Sequence, residues 1–414
     1  MSVERPSCPA GAGGGDAVPD FPLGRANGIG PPRGYEALRR DEPVSRVRVA
    51  DGHVAWLVTR FEDARRVLVD SRLSADRTHP GFPMLEPVTP QSRRNIAAVA
   101  KSLVGLDPPE HNVRRRMLIT EFTFRRIQRL RPYIRQVADD SVDALVAAGP
   151  PADLVATVSM PVPLMVLCTL LGIPYADREM FKARTADMVG QNTEPRQRQR
   201  AAAELRAYMD ELITAKEDAP TDDLLGRLVV NNRTTRAFDH ELIVGLAMTL
   251  LVAGYETTTG MITLGVADLL THPDQLAYLT GHPEAVERVV EELLRHVGVI
   301  DAMPRVATAD IEVAGTTIRA GEGVIVSFAS ANRDHHAFGE PDVLDVENGT
   351  RRHIAFGYGV HQCIGQNLAR EVLCTTFRVL FDRLPGLKLA ASLDDLEFKK
   401  DTNVYGIETL PVAW

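Results

Sequence analysis

Apolar side chains recur at helical spacing through most of the chain. Such patterns run from Phe122 to Ala148, from Leu154 to Leu171 and across Tyr175 to Ala215. The longest spans residues 239 to 271, beginning at Asp239, a favourable N-cap, and ending at a Thr-His-Pro sequence. Runs of this length and spacing predict a mainly α protein with one long central helix.

Short alternating segments add a smaller β component. Val44 to Val49 and Val54 to Val58 alternate on either side of an Asp-Gly turn, and Val324 to Phe328 predicts a later strand. We therefore expect small β-sheets beside the helices, in a single domain over residues 21–414. Residues 1–20 are rich in proline and glycine, so we expect a flexible tail there.

Composition narrows the class of protein. The 414-residue chain is 44% hydrophobic and 25% charged with a formal net charge of -8, which is typical of a globular protein and unfavourable for general nucleic-acid binding. Its four cysteines (Cys8, Cys168, Cys363 and Cys374) have no repeated spacing, so neither a disulfide framework nor a zinc knuckle is indicated. The most apolar run, Leu242 to Tyr255, is too short to cross a membrane, and the N-terminus lacks a signal-peptide pattern. We expect a cytoplasmic protein with no membrane or nucleic-acid partner.

One cysteine stands in an unusual loop. Residues 356–365, called the Cys loop below, read Phe-Gly-Tyr-Gly-Val-His-Gln-Cys-Ile-Gly, and a helical run from Gln366 follows. Gly357 and Gly359 can take positive φ, so a tight turn brings backbone N–H groups and a helix N-terminus toward the Cys363 sulfur, which favours a thiolate. A lone cysteine is more often a buried small hydrophobe, and the glycine spacing does not match a dinucleotide-binding loop. The full pattern nevertheless favours a metal-thiolate loop.

The long helix contains an acid and a hydroxyl in the middle of an apolar run. Glu256 and Thr257 follow Ala253 and Gly254, and two more threonines come next. A carboxylate is unfavourable in an apolar helix and threonine is a poor helix former, so both residues lower the stability of the helix. Local conflicts of this kind are typical of functional sites. The alternative for the hydroxyl is a bond back to its own helix.

A third pattern precedes the long helical region. Asp107, followed by two prolines, predicts a helix start, and His111 and Arg115 then lie four residues apart on one face. A cluster of arginines is usually a solvated face, and this is what we expect of Arg114 and Arg116.

These patterns resemble the signatures of the cytochrome P-450 family, the haem-thiolate monooxygenases. The Cys loop matches F-G-x-G-x-H-x-C-x-G, the long helix A-G-x-E-T and the earlier helix H-x-x-x-R. The resemblance implies the cytochrome P-450 fold with haem b as cofactor, the Cys loop on the proximal side of the haem, and Cys363 as the axial iron ligand. It implies further haem contacts beside the iron and around the propionates, from His111, Arg115, Ala253, Gly254, Arg305, His353, Phe356, Gly357, His361 and Gly365.

The resemblance also implies a structural brace for the Cys loop. Glu292 and Arg295 match E-x-x-R, and in the family this pair joins a later arginine. The chain has Asn348 at the position of that arginine, so the triad is incomplete. Arg351 and Arg352 are alternatives between which the sequence does not choose.

For function, the resemblance implies activation of O2 and hydroxylation or epoxidation of a medium-to-large apolar natural product, such as a macrolide, polyketide or terpenoid. Glu256 and Thr257 would supply protons. Electrons would come from NAD(P)H through a ferredoxin reductase and a ferredoxin, which we expect to meet Arg114 and Arg116, with the enzyme itself a monomer. In relatives, the residues at the positions of Tyr255, Val299, Met303, Asn403 and Val404 line the substrate pocket. The position of Tyr255 is often occupied by histidine in those relatives. Two alternatives stay open: a related oxidative coupling enzyme, and a haem-thiolate protein that binds ligands without catalysis.

Overall fold

The computed structural model describes residues 18–25, 28–85, 103–189, 193–399 and 404–414. Over these residues the fold is mainly helical with small β-sheets, as the sequence predicts. The α-helices of the described residues are, in chain order, α1 (Gly34–Asp41), α2 (Phe61–Val69), α3 (Glu110–Ile119), α4 (Phe124–Ala148), α5 (Pro161–Leu171), α6 (Arg178–Val189), α7 (Pro195–Asp218), α8 (Leu224–Thr235), α9 (His240–Thr271), α10 (Pro273–Gly281), α11 (Val286–Val297), α12 (Phe328–Ala331), α13 (His335–Phe338) and α14 (Gln366–Arg383).

The strands of the described residues form three sheets. The strands are β1 (Val44–Arg48), β2 (Val54–Val58), β3 (Leu73–Ser74), β4 (Ala152–Asp153), β5 (Ala302–Ala307), β6 (Ile311–Val313), β7 (Thr316–Ile318), β8 (Gly323–Ser327), β9 (Lys388–Leu389) and β10 (Pro411–Ala413). The largest sheet has the order β1-β2-β8-β5-β3, with β2 and β8 parallel and the other pairs antiparallel. A second sheet has the order β4-β10-β9, and β6 and β7 form a hairpin.

Helix α9 runs through the centre of the helical part and packs against α5, α7, α11 and α14. Asp239 caps it as predicted, because its carboxylate accepts the Leu242 N–H at 2.8 Å. Every residue from Thr258 to Leu269 is buried, which explains the apolar composition of that half. By length and hydropathy alone α9 passes as a membrane span, but a buried core helix of a soluble protein meets the same criterion. The C-terminal half of α9 lies in the hydrophobic core.

The N-terminal boundary differs from the prediction. The Arg48 N–H donates to the Pro19 carbonyl at 2.8 Å, and the Phe21 N–H donates to the Arg48 carbonyl at 2.7 Å. Residues 19 and 20 are therefore held against β1 rather than belonging to a flexible tail. Residues 1–17 lie outside the described part of the chain.

Asp107, which we expect from the sequence to begin α3 as its N-cap, does not cap this helix. The Asp107 carboxylate accepts the Ala75 N–H at 2.8 Å and the Ser74 hydroxyl, so it is bonded to the end of β3. The helix instead begins after Pro109, whose side chain offers no cap. A carboxylate near a helix start caps only when no stronger set of donors lies closer, and here the strand supplies that set.

Candidate active site

A cavity of about 430 Å³ lies between the N-terminal half of α9 and the Cys loop. Both the Cys363 thiol and the Thr257 hydroxyl belong to residues that line it, on opposite walls. Most of the remaining lining is apolar and includes Pro163, Val166, Leu167 and Leu170 of α5 and Leu250 and Met261 of α9. The cavity is therefore a partly open apolar chamber with a thiol on one side and a hydroxyl on the other.

The Cys loop has the turn that its glycines predict. Gly357 and Gly359 have φ of +72° and +75°. A Cβ on Gly359 would lie 2.7 Å from the Leu68 carbonyl oxygen, so no side chain fits there. The Cys363 N–H donates to the Phe356 carbonyl at 2.8 Å and closes the turn. Helix α14 begins immediately after the loop at Gln366, so its N-terminus lies beside the sulfur.

Opposing effects act on the Cys363 thiol, whose side chain is exposed to the cavity that it lines. Burial raises the pKa of the thiol, whereas a bond from the Gly365 N–H and the charges of Arg115 and Arg370 lower it. The loop therefore offsets part of the cost of a buried thiolate. A bound cation would supply the rest, as expected for a metal ligand.

Four polar side chains gather at one edge of the cavity: His111, Arg115, Arg305 and His361. The His111 and His361 rings lie 4.3 Å apart, and the Arg115 guanidinium donates to the Gln362 carbonyl at 2.6 Å. Burial lowers the pKa of His361 to about 3 and that of Arg305 to about 10. At neutral pH this edge therefore presents two cationic guanidinium groups and a neutral His361 imidazole.

These residues fit a haem with its acidic propionates. The Nε2 atom of His111 is buried and has no hydrogen-bond partner, which an acidic ligand would provide. Arg115 and Arg305 supply cations for the same group. The thiol that would bind the iron and the wall containing Ala253 and Gly254 both line the same chamber.

The structure does not agree with the prediction that His353 binds a propionate. His353 is buried outside the cavity, and its Nε2 lies 2.9 Å from the Glu291 carboxylate. The two proposed replacements for the missing arginine are also wrong. Arg351 pairs with Glu291 at 3.4 Å and Arg352 with Glu62 at 3.8 Å, so neither joins Glu292. Glu292 and Arg295 do form the predicted buried pair, at 2.6 Å.

On the opposite wall, Glu256 and Thr257 both line the cavity. The Thr257 hydroxyl donates to the Ala253 carbonyl at 2.7 Å, the helix back-bond that the sequence left open as an alternative. This bond uses the hydroxyl proton and leaves the oxygen able to accept another. The Glu256 carboxylate lies 3.9 Å from the Lys399 ammonium. Both side chains are partly exposed.

The predicted substrate-facing residues divide into three groups. Val299, Met303 and Val404 line the cavity. Tyr255 does not, because it is 2% exposed and packs in the hydrophobic core behind the wall, so this prediction is wrong. Successive side chains of an α-helix point in different directions, so Glu256 lines the cavity while Tyr255 faces the core. Asn403 lies outside the described residues.

Three residues of the site were not predicted. Glu291 and Arg370 form an ion pair next to the Cys loop, and Lys399 pairs with Glu256. Glu291 and Glu292 are both buried on α11, although two successive glutamates are more often exposed, so no local pattern identifies Glu291. No local pattern identifies Lys399, since its partner lies more than a hundred residues earlier in the chain.

Residues 283–381 match the family model named cytochrome P-450. The chain is 44% identical over 394 residues to pentalenic acid synthase of Streptomyces avermitilis, a match that covers 95% of this chain and 97% of that protein. It is 45% identical over 399 residues to the vitamin D3 dihydroxylase of Streptomyces griseolus, covering 96% and 97%. The crystal structure of cytochrome P-450 MoxA from Nonomuraea recticatena matches with a TM-score of 0.91 and 45% identity, over 95% of this chain and 98% of that one.

Identity at this level over nearly the whole length, together with a thiol and an acid-alcohol pair on opposite walls of one apolar chamber, leads to one conclusion. The chain belongs to the cytochrome P-450 family and is a haem-thiolate monooxygenase of the bacterial type that acts on secondary metabolites.

Proposed function

We propose that this enzyme hydroxylates or epoxidises a medium-to-large apolar natural product of the macrolide, polyketide or terpenoid type, with haem b as cofactor. The observation that carries the proposal is the apolar chamber, in which aliphatic side chains from α5, α9 and β5 surround the space between the Cys loop and Thr257. Apolar walls with few polar groups bind apolar skeletons. Relatives named for pentalenic acid and for vitamin D3 support a substrate of this class.

When bound, haem supplies the iron that activates O2 for attack on a C–H bond or a double bond. The residues of this chain do the rest. Cys363 would hold the iron through an anionic sulfur, which would donate electron density to it. Arg115 and Arg305, with His111 and His361, hold the acidic edge of the cofactor. The apolar wall excludes bulk water and orients the substrate.

Protons reach the chamber through Glu256 and Thr257. The Glu256 carboxylate is close to Lys399 at the partly exposed rim of the cavity, and Thr257 comes next along α9. A carboxylate at the rim takes up protons from solvent, and a hydroxyl oxygen inside accepts a hydrogen bond from the reacting group. Protons are in this way delivered to the chamber without bulk water entering it.

Electrons come from NAD(P)H through a ferredoxin reductase and a ferredoxin, and the enzyme works as a cytoplasmic monomer. Arg116 is exposed on α3, the helix that also carries His111 and Arg115, so it lies on the surface near the cofactor edge. A cationic side chain there suits an acidic ferredoxin. Charge reversal by Arg116→Glu should raise the ferredoxin concentration needed for half-maximal turnover, most strongly at low ionic strength. An unchanged requirement would contradict this docking surface.

The substrate class is tested by binding and turnover. The purified ferric enzyme is titrated with macrolide, polyketide and terpenoid compounds, and the high-spin shift of the Soret band reports entry into the chamber. Compounds that give a shift are then incubated with NADPH, a ferredoxin and its reductase, and products are identified by mass. We expect a product heavier by one oxygen atom. Coupled dimers without added oxygen, or ligand binding without any product, would instead support the two alternatives.

A further inference from the structure

The pair Glu292 and Arg295 does not bond to the Cys loop. The Arg295 guanidinium donates to Glu292 and to the carbonyls of Asn332, Pro341 and Val343. Glu292 also accepts the Asp345 N–H at 3.0 Å. Within the described residues these bonds all end between 332 and 345, so the pair holds the segment that precedes the loop. Asn348 bonds to Asp345 and takes no part in it.

Glu291, the residue just before this pair, makes a different set of contacts. It is buried, and its carboxylate lies 2.9 Å from His353 Nε2 and accepts two bonds from Arg370, at 2.6 and 3.1 Å. The Ala355 N–H donates to His353 Nδ1, so the other ring nitrogen carries the proton and donates to Glu291. We call Glu291, His353 and Arg370 the Glu291 cluster.

The Glu291 cluster reaches the Cys loop through Arg370. This residue lies on α14, four positions after Gln366, which accepts a further bond from it at 2.9 Å. Its guanidinium carbon lies 4.5 Å from the ring centroid of Phe356, the first residue of the loop. Since the Phe356 carbonyl accepts the Cys363 N–H, Arg370 packs on the residue that closes the loop around the sulfur. His353 fixes the chain just ahead of the same residue.

We propose that the Glu291 cluster is the brace that positions the Cys loop, and that the charge of Arg370 tunes the Cys363 sulfur as an iron ligand. The proposal deepens the function given above and rests on haem ligation by Cys363. Glu291, His353 and Arg370 are positioning residues, because they act through Phe356 and through the electric field at the sulfur. A buried charge close to the ligand acts through a low dielectric, where screening is weak.

The charges of the cluster make a prediction that a purely structural brace does not. Reduction adds an electron to the iron and sulfur, and a nearby cation stabilises the more negative state. Arg370→Gln should therefore shift the reduction potential to a more negative value. Glu291→Gln removes an anion and should shift the potential in the opposite direction. A brace without electrostatic influence would move both variants in the same direction or neither of them.

The experiment uses the purified holoenzymes of both variants and of Arg370→Lys, which keeps the charge but loses the two-pronged bond to Glu291. Reduction potentials are measured by dye-coupled titration. The lifetime of the thiolate-type ferrous carbon monoxide spectrum is followed at elevated temperature. All three variants should lose that spectrum about tenfold faster than the parent, the effect of losing a buried charge-assisted bond. The Lys variant should keep the parental potential.

Arg378→Gln and Glu287→Gln are the matched controls. Each lies on the same helix as its counterpart, α14 or α11, and each is exposed. Both should match the parent in potential and in lifetime. Shifts of equal sign in Arg370→Gln and Glu291→Gln, or parental values in both, would overturn the proposal. If the parent itself lacked the thiolate-type spectrum, haem ligation by Cys363 would be wrong instead, so the two failures are distinguishable.

Discussion

The wall that carries Cys363 is held by buried polar contacts, whereas the wall that carries Thr257 is formed by the single helix α9. On the first wall, a closed turn, a helix N-terminus and the Glu291 cluster converge on ten residues. On the second, Thr257 bonds only within α9 in the described contacts, and Glu256 meets Lys399 at 3.9 Å. The first wall fixes a ligand atom, and the second leaves polar groups able to exchange protons.

This difference implies different consequences of mutation on the two walls. Changes at the thiol wall should alter the cofactor itself, as seen in its spectrum. Changes at the helix wall should leave the spectrum unchanged and alter how well oxygen use is coupled to product. The following predictions run from the largest expected effect to the smallest.

Cys363→Ser should abolish the thiolate-type spectrum and reduce product formation by about three orders of magnitude or more, the scale observed when a reacting group is removed. The reduced protein with carbon monoxide and a product assay measure the two effects. Cys374→Ser is the control, because Cys374 lies on α14 away from the cavity lining. Retention of the thiolate-type spectrum in Cys363→Ser would identify another iron ligand.

Thr257→Ala should preserve haem and reduction but divert oxygen to hydrogen peroxide, with product formation falling by about one hundredfold, the lower range for proton transfer by a side chain. The ratio of peroxide to product per NADPH consumed measures the change. Thr249→Ala is matched to it, since Thr249 makes the same helix back-bond, to Gly245 at 2.8 Å, and does not line the cavity. Equal peroxide yields from the two variants would remove the role assigned to Thr257.

Lys399→Met should lower the product rate by a few fold, because a partly exposed ion pair contributes only about 1 kcal/mol. The physical reason is that Glu256 loses the cation that holds it at the rim of the cavity. Lys399→Arg should restore most of the rate, and Lys388→Met, on the exposed edge of β9, should have no effect. The pH profile of product formation should shift in Lys399→Met alone. An unchanged profile would show that Lys399 does not act through Glu256.

His272→Gln concerns the far end of α9 and should affect stability without altering either wall. The carboxylate of Asp268 raises the pKa of His272 to about 9 from 6.5. A raised folded-state pKa stabilises the protein below about pH 6.5, and this contribution is lost as pH rises through about 9. Below pH 6.5, the melting temperature of the variant should be about 1 °C lower than that of the parent. Above pH 9, the two melting temperatures should be equal. A difference that grows with pH would contradict this assignment.

Local signals in the sequence predict the thiol wall well. The sequence predicts positive φ at Gly357 and Gly359, and the structure has it at both. Helix α9 and its cap at Asp239 are also confirmed, because capping and apolar spacing act over a few residues. Such features depend on neighbours in the chain, so a single sequence contains the information.

Features that depend on distant contacts could not be predicted in the same way. Asp107 has a good capping position by sequence but bonds to β3, which is thirty residues earlier. His353 matches a family position, yet its partner is Glu291, and Tyr255 faces the core although its neighbour Glu256 faces the cavity. In each case the competing partner comes from a separate element, and its proximity follows only from the assembled fold.

The central claim is that Cys363 binds haem iron as a thiolate opposite Thr257. The most direct measurement is the absorption spectrum of the purified, reduced protein under carbon monoxide. The account predicts a strongly red-shifted Soret band of the thiolate type, present in the parent and in Thr257→Ala and absent in Cys363→Ser. A parent spectrum of the type given by a neutral thiol or a histidine ligand would contradict the claim.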